Sequence, residues 1–262
     1  MARPSAKPPG ETPDTAVPDP SQFGEYSSPP CFMHEFASSF VGLPDGGDQS
    51  SHTPPPNLPL DWPAVRQWRT ETRAGLIERR VHISAQDRAD WSGSIGEKLE
   101  AALASAQGKL IGFYWPFRGE YDARPVLAAL RRHGTRLALP VVVEKGQPLQ
   151  FREWWPGIAM TRGVWNIPIP AEGGAVRPDV LIAPLVGFDP SGYRLGYGGG
   201  FYDRTIASMS GKPMVIGVGF ELARLETIYP QAHDIPMDIL ITEAEGRAAA
   251  FHSGSRGAGM LP

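Results

Sequence analysis

The chain of 262 residues contains one cysteine, Cys31, which excludes an intrachain disulfide framework. It has no apolar run near the roughly 20 residues that span a bilayer. Its first residues lack the basic-then-apolar layout of a secretory signal. Its formal net charge is only -3, so no excess of one sign marks a general nucleic-acid binder. No Gly-Lys-Ser/Thr follows a glycine run, so the P-loop pattern is missing. No internal repeat and no Ser-His-Asp set stand out. These absences predict a reduced, cytoplasmic protein without membrane or nucleic-acid partners, with monomer as the default state.

What is present is unevenly spread. Fourteen of the 28 prolines lie at or before Pro63, so residues 1–60 read as a Pro-rich, largely disordered extension. One apolar island, Cys31 to Phe36 and then Phe40 to Leu43, interrupts it. Cys31 and His34 have a metal-like spacing, but no second pair of ligands completes a structural zinc site. Residues 61–245 read as the folded domain and 246–262 as a flexible tail. Asp61-Trp62-Pro63 and Ser84…Asp87 are helix starts, predicting helices over 62–82 and 85–106. Further helices are predicted at about 122–133 and 201–209. Strands are predicted at 110–115, 137–143, 149–154, 180–186, 214–219 and 239–242. Strands alternating with helices predict an α/β fold with a mainly parallel sheet. Ligands of such sheets sit beyond the carboxyl ends of the strands, which puts the loops 112–120 and 187–204 on one rim.

The most informative segment runs from Gly187 to Arg204. An apolar strand, Val180 to Val186, leads into Gly196, Gly198, Gly199 and Gly200, and a helix follows. Such a turn is either a tight strand–helix packing device or a place where backbone N–H groups gather on phosphate. Arg194 and Arg204 beside it have the planar donor forks that suit phosphate oxygens. Asp203 either holds a Mg²⁺ that bridges nucleotide phosphates or pairs with an arginine. Arg66, Arg69, Arg73 and Arg80 are spaced to share one helix face, which is either a solvated stripe or a lining that neutralises a triphosphate.

The run Arg194-Leu195-Gly196-Tyr197-Gly198-Gly199-Gly200-Phe201-Tyr202-Asp203-Arg204 resembles the signature of the 5-formyltetrahydrofolate cyclo-ligases, also called methenyltetrahydrofolate synthetases. The resemblance is collinear over about residues 61–245. It takes in Arg69-Thr70-Glu71-Thr72-Arg73, Ser84 with its helix, Phe113 to Pro116, Gly119 to Asp122, Trp165 to Pro170, and His233 to Glu243. The first basic position, often lysine in the family, is Arg69.

The resemblance implies a three-layer αβα sandwich, NagB/RpiA-like, that binds a reduced folate and MgATP. It implies ATP contacts from Arg69, Arg73, Arg194, Gly196, Gly198, Gly199, Gly200 and Tyr202, and Mg²⁺ ligation by Asp203 and Asp238. It implies folate contacts from Trp115, Glu120, Tyr197 and Phe201, with Arg194, Asp203 and Arg204 as the catalytic groups. Trp165 is a further candidate, and His233 reads as a hydrogen-bonded structural histidine. The implied reaction closes 5-formyltetrahydrofolate to 5,10-methenyltetrahydrofolate. The formyl oxygen is phosphorylated by ATP and the folate N10 attacks the activated carbon, leaving ADP and phosphate. That chemistry needs positioning and charge stabilisation rather than a protein nucleophile. The alternatives are a non-catalytic relative that binds folate or nucleotide, and a phosphosugar isomerase on a similar scaffold, for which no base stands out.

Overall fold

A computed structural model describes residues 61–244 and the backbone of 249–250; the Cys31–His34 pair and the apolar island around it lie outside the described residues. Helix α1 (Trp62–Val81) starts where its caps dictate. The Asp61 carboxylate accepts from the Ala64 amide at 3.0 Å, and Pro63 occupies the first turn, where its missing N–H costs nothing. Helix α2 (Ala85–Ala102) starts at Ser84, whose hydroxyl oxygen accepts from the Asp87 amide at 3.0 Å. It ends at Ala102, four residues before the predicted limit, with Leu103 as its C-cap. The remaining helices are α3 (Arg124–Arg131) and α4 (Phe201–Ser208). No described helix is long and apolar enough to cross a membrane.

The main sheet has seven strands in the order β11-β10-β9-β6-β1-β2-β3. Five are parallel: β1 (Leu110–Gly112), β2 (Arg136–Val141), β6 (Val180–Pro184), β9 (Met214–Val218) and β10 (Ile239–Ile241). The edges are antiparallel, β3 (Gln150–Trp154) on β2 and β11 (Ala249–Ala250) on β10. Two hairpins lie outside the sheet: β4 (Met160–Arg162) with β5 (Pro168–Pro170), and β7 (Gly187–Phe188) with β8 (Arg194–Leu195).

Strand alternation sorts the core into two layers. Ile111, Leu137, Leu139, Val180, Ile182, Ile216 and Val218 pack with Ile95 and Leu99 of α2 and Leu127 of α3. Their neighbours Leu110, Ala138, Leu181, Ala183 and Val215 pack with Ile206 of α4. The sheet is therefore buried on both faces, as parallel sheets are, and helices cover each side. A third cluster joins Leu76 of α1 to Val186, Leu195 and Ile228.

The structure alters several predicted elements. The strand predicted at 110–115 ends at Gly112, because the chain turns over the rim at Tyr114, whose hydroxyl donates to Tyr121 O at 2.9 Å. The strand predicted at 180–186 ends at Pro184, and a β7–β8 hairpin fills what reads as continuous loop. Its turn is pinned by the buried Asp189, which accepts from the amides of Ser191, Tyr193 and Ile228. Edge strand β11 falls where the sequence loses its pattern; Ala249 and Ala250 pair there with Leu240 and Ile239.

Sequential strands depart from β1 in opposite directions, to β2 on one side and to β6 on the other. A ligand crevice opens at the carboxyl ends of two such strands. The loop after β1 and the glycine segment after β6 meet there.

Candidate active site

Helix α1 carries its arginines along one face, as the spacing predicts, but to separate destinations. Arg69 is buried and spends its donors on Ile228 O (3.0 Å), Tyr229 O (2.9 Å) and Asp234 Oδ2 (2.6 Å). Arg73, one turn on, donates from Nε to Gly196 O at 2.7 Å and rests against Gly198. Burial, and then the neighbouring Arg69, push the Arg73 guanidinium down to about 10, so it is still a cation at neutral pH. Arg80 is buried and donates to Arg118 O (3.0 Å), Leu185 O (2.8 Å) and the Tyr197 hydroxyl (2.7 Å). Arg66 stays exposed, 5.3 Å from the centre of the Trp62 ring.

The glycine loop sits above Arg73. Gly198 has φ +92° and Gly200 φ +61°, a left-handed region that L side chains rarely enter. Gly200 is also the N-cap of α4, which has no side-chain cap. The amides of Gly198, Gly199 and Gly200 find no acceptor among the described residues. Exposed, unspent N–H groups at a helix N-terminus form an anion site. Arg204 grips Gly199 O through Nη2, and its buried Nε is left without a partner. Arg73 and Arg204 are therefore the cations that face the loop.

Arg194, predicted to hold phosphate, is instead 7% exposed. It donates to Ile235 O at 2.9 Å and to Asp203 Oδ1 at 2.8 Å. Asp203 Oδ1 also accepts from the Ile235 amide at 3.1 Å, so both bonds fall on one oxygen. Asp238, predicted as the other metal ligand, precedes β10 and lies at the amino end of the sheet. Its Oδ1 pairs with Lys212 at 2.6 Å and its Oδ2 accepts from the Val215 amide at 2.8 Å. Parallel strands put their starts and their loops on opposite rims, so Asp238 locks β10 to β9 rather than facing the glycine loop.

Asp234 is next in sequence to the residue whose amide caps Asp203, and it is close enough to bear on Arg73, which bonds to the loop at Gly196 O. The Asp234 Oδ2 takes Arg69 and the Gln231 amide, while Oδ1 faces only the exposed His233 ring at 3.8 Å. His233 is thus a surface residue, not the hydrogen-bonded structural histidine expected. Among the described residues no three His, Cys, Asp or Glu side chains form a cation-holding group. Asp203 keeps its Oδ2 without a hydrogen-bond partner among the described residues, and a carboxylate with one such oxygen suits Mg²⁺, which commonly takes one or two carboxylates and fills its remaining positions with phosphate and water.

Across the crevice, Glu120 is 8% exposed. Its Oε1 accepts from the Tyr197 hydroxyl and its Oε2 from the Phe117 amide, both at 2.8 Å. Arg80 Nη2 lies 3.9 Å from Oε1. Burial raises the Glu120 carboxyl above its ordinary value of 4.5, against the pull of Arg80 and both hydrogen bonds. Burial likewise pushes up the hydroxyls of Tyr114, Tyr197 and Tyr202. Tyr202 Oη is sealed without a partner. Trp115 is half-buried; Arg124 lies 4.3 Å from the centre of its ring and Trp154 meets it edge-on at 6.5 Å. Trp165, at φ +56°, is half-exposed and reaches Phe201 edge-on at 6.2 Å.

The structure therefore brings together Glu120, Tyr197, the glycines, Arg73, Asp203 and Arg204, and leaves Asp238 outside. Sequence reasoning missed Asp234 and, for Arg80, the bond to Tyr197 in place of a phosphate contact. The signal for Arg80 was its place on the arginine stripe, and for Asp234 its place in the segment His233 to Asp238.

The sequence profile of the 5-formyltetrahydrofolate cyclo-ligase family matches residues 65–243. The 5-formyltetrahydrofolate cyclo-ligase of Escherichia coli (strain K12) is 33% identical over 177 residues, which cover 65% of this chain and 97% of that protein. The cyclo-ligase of Mycolicibacterium smegmatis is 30% identical over 190 residues, 69% of this chain and 96% of that protein. Among solved structures, the NMR structure of Aquifex aeolicus 5,10-methenyltetrahydrofolate synthetase superimposes with a TM-score of 0.61 at 28% identity, covering 71% of this chain and 94% of that one. Family signature, whole-length relatives and shared fold agree, and the chain belongs to the 5-formyltetrahydrofolate cyclo-ligase family.

Proposed function

We propose that the crevice between the β1 loop and the glycine loop is where this ATP-dependent ligase converts 5-formyltetrahydrofolate to 5,10-methenyltetrahydrofolate, with the triphosphate on one side and the folate on the other. The observation that carries the assignment is the contact between Glu120 and Tyr197 at the switch point of the sheet, 2.8 Å long. It places a buried carboxylate beside a glycine loop with unspent amides.

The amides of Gly198, Gly199 and Gly200, with Arg73 and Arg204, hold the phosphates by converging donors and cations. Arg194 is buried with its donors on Ile235 O and Asp203 Oδ1, and it fixes the Asp203 carboxylate. Asp203 and Asp234 would hold a Mg²⁺ that arrives with ATP, and the ion would supply neutralisation of phosphate charge. Glu120 keeps unused lone pairs on both oxygens and accepts N–H donors of the pterin. Trp115, with Arg124 close to its ring, and Phe201 supply flat apolar surface for the folate rings.

In this reading the formyl oxygen attacks the γ-phosphorus, the bond to the β-bridging oxygen breaks, and ADP leaves. The N10 lone pair then attacks the activated formyl carbon, the N10 proton is lost, and the carbon–oxygen bond breaks to release phosphate. The formyl oxygen departs as phosphate rather than as a poor oxide leaving group. The residues supply alignment and charge stabilisation, the usual route of phosphoryl transfer.

The test is the near-UV absorbance of the methenyl product when purified protein meets 5-formyltetrahydrofolate and MgATP. Product is expected only with ATP and not with Asp203→Ala. Product formation that survives Asp203→Ala at an unchanged rate would remove Asp203 from the site.

A further inference from the structure

In the run Gly196-Tyr197-Gly198-Gly199-Gly200 a single residue carries a side chain. Glycine-rich backbone loses the most conformational freedom on being fixed, so the groups that fix it govern how readily it accepts a ligand. Two of them are the arginines on its carbonyls, Arg73 on Gly196 O and Arg204 on Gly199 O. The third is the Tyr197 hydroxyl, which reaches out of the loop toward the folate end. It accepts from Arg80 Nη2 at 2.7 Å and donates to Glu120 Oε1 at 2.8 Å.

Both partners are themselves anchored. Arg80 is tied to Arg118 of the β1 loop and to Leu185 at the end of β6. Glu120 is tied to the Phe117 amide. One oxygen atom thus links the loop that takes phosphate to the carboxylate that takes the pterin.

We propose that the Tyr197 hydroxyl is a positioning group that couples the two substrate sites, so that a reduced folate at Glu120 orders the glycine loop for the triphosphate and the triphosphate in turn orders Glu120 for the folate. The proposal rests on the reading that the loop holds phosphate and Glu120 holds the pterin. The physical link is conformational entropy. Folate donors on Glu120 pin its carboxylate, the pinned carboxylate pins the tyrosine, and the nucleotide then meets a loop whose freedom is already lost. By linkage the effect is equal in both directions. Burial raises the Tyr197 hydroxyl well above its ordinary value, so it stays an O–H donor across the working pH range.

The experiment is calorimetric titration of the full chain with a non-hydrolysable ATP analogue and Mg²⁺, with and without saturating 5-formyltetrahydrofolate. In the unmodified protein folate is expected to tighten the analogue about 10-fold, within the usual range of coupling. Tyr197→Phe keeps the ring and its tilted contact with Phe117 (6.0 Å between centroids) but loses the link, and the factor should fall to about 1. No enhancement in the unmodified protein, or the same enhancement in Tyr197→Phe, overturns the coupling. Hydrogen exchange of the unmodified protein needs no variant. Folate alone should protect amides in 196–200, and unchanged exchange there overturns the proposal even if Tyr197→Phe fails to fold. Arg73→Gln separates the underlying reading: unchanged analogue affinity in that variant means the loop is not the phosphate site, whatever the coupling shows.

Discussion

At the carboxyl end of the parallel strands, Arg69, Arg80 and Arg194 are buried and bond to main-chain carbonyls as well as to Asp234, Tyr197 and Asp203. At the amino end, Lys212 pairs with Asp238 and Arg136 with Glu153, with 40% and 60% of the cationic side chains exposed. The residue types are the same at both ends. At one end the charges fix irregular loops where no strand hydrogen bonds are available, and the loops in turn leave selected groups unspent. At the other they decorate a surface, where an ion pair contributes little. What separates a site from a surface in this fold is therefore the rim on which a charge lies and how many of its bonds are already taken.

The sharpest way to break that contrast is to remove one aspartate from each rim. Asp203→Ala is expected to lower kcat/KM by about 10²–10³-fold, the scale of losing one preorganised electrostatic group. Asp238→Ala should lower it less than about 3-fold at matched folded fraction, about 0.6 kcal/mol. Initial rates over a Mg²⁺ titration decide it, and equal losses would return Asp238 to the metal site. Stability should divide the same way. Arg80→Met is expected to cost about 3–5 kcal/mol in urea unfolding, because it strands a buried carboxylate and two carbonyls. Arg136→Met, at an exposed pair, should stay within about 1 kcal/mol.

A pH series tests the buried carboxyl. Glu120 has a folded value raised by burial above 4.5, so its contribution to stability is fully present below the unfolded value and is lost as pH rises through the folded one. The unfolding free energy of the unmodified chain should therefore fall relative to Glu120→Gln as pH rises from about 4.5. A flat difference across that range would mean that the carboxyl titrates normally. Backbone geometry alone is tested by Gly198→Ala. The left-handed φ costs about 1–2 kcal/mol for a residue with Cβ, and that Cβ would lie 3.4 Å from Arg73 Cζ. The KM for ATP should rise about tenfold with the folate KM unchanged, readable from paired saturation curves.

Much of the fold was legible because its physics is local. Asp61 and Ser84 cap the helices they were expected to start, and the apolar runs at 180–186 and 214–219 form strands that lie within those limits, while the run at 137–143 forms a strand that starts one residue earlier, at Arg136. The two hairpins were not legible. β7 and β8 are two residues each, and their turn is held by Asp189 reaching Ile228, a contact that sequence spacing does not encode. The site was legible in part for the same reason. Glycines before a helix mark a turn of special backbone geometry over a few residues. The division of labour among Arg69, Arg73, Arg194 and Arg204 was hidden, since it depends on which carbonyls each guanidinium meets.

The sequence by itself determined the alternation of strand and helix, the family signature at 194–204 and the presence of a glycine-rich turn before a helix, because periodicity, capping and glycine conformation act over a few residues. Tertiary structure alone decided that Asp238 pairs with Lys212 at the amino end of the sheet, that Arg80 joins the β1 and glycine loops, and that Tyr197 meets Glu120 across 77 positions of chain. Hydrogen bonds and burial depend on distance in space, and a folded sheet sets those distances by strand order and direction.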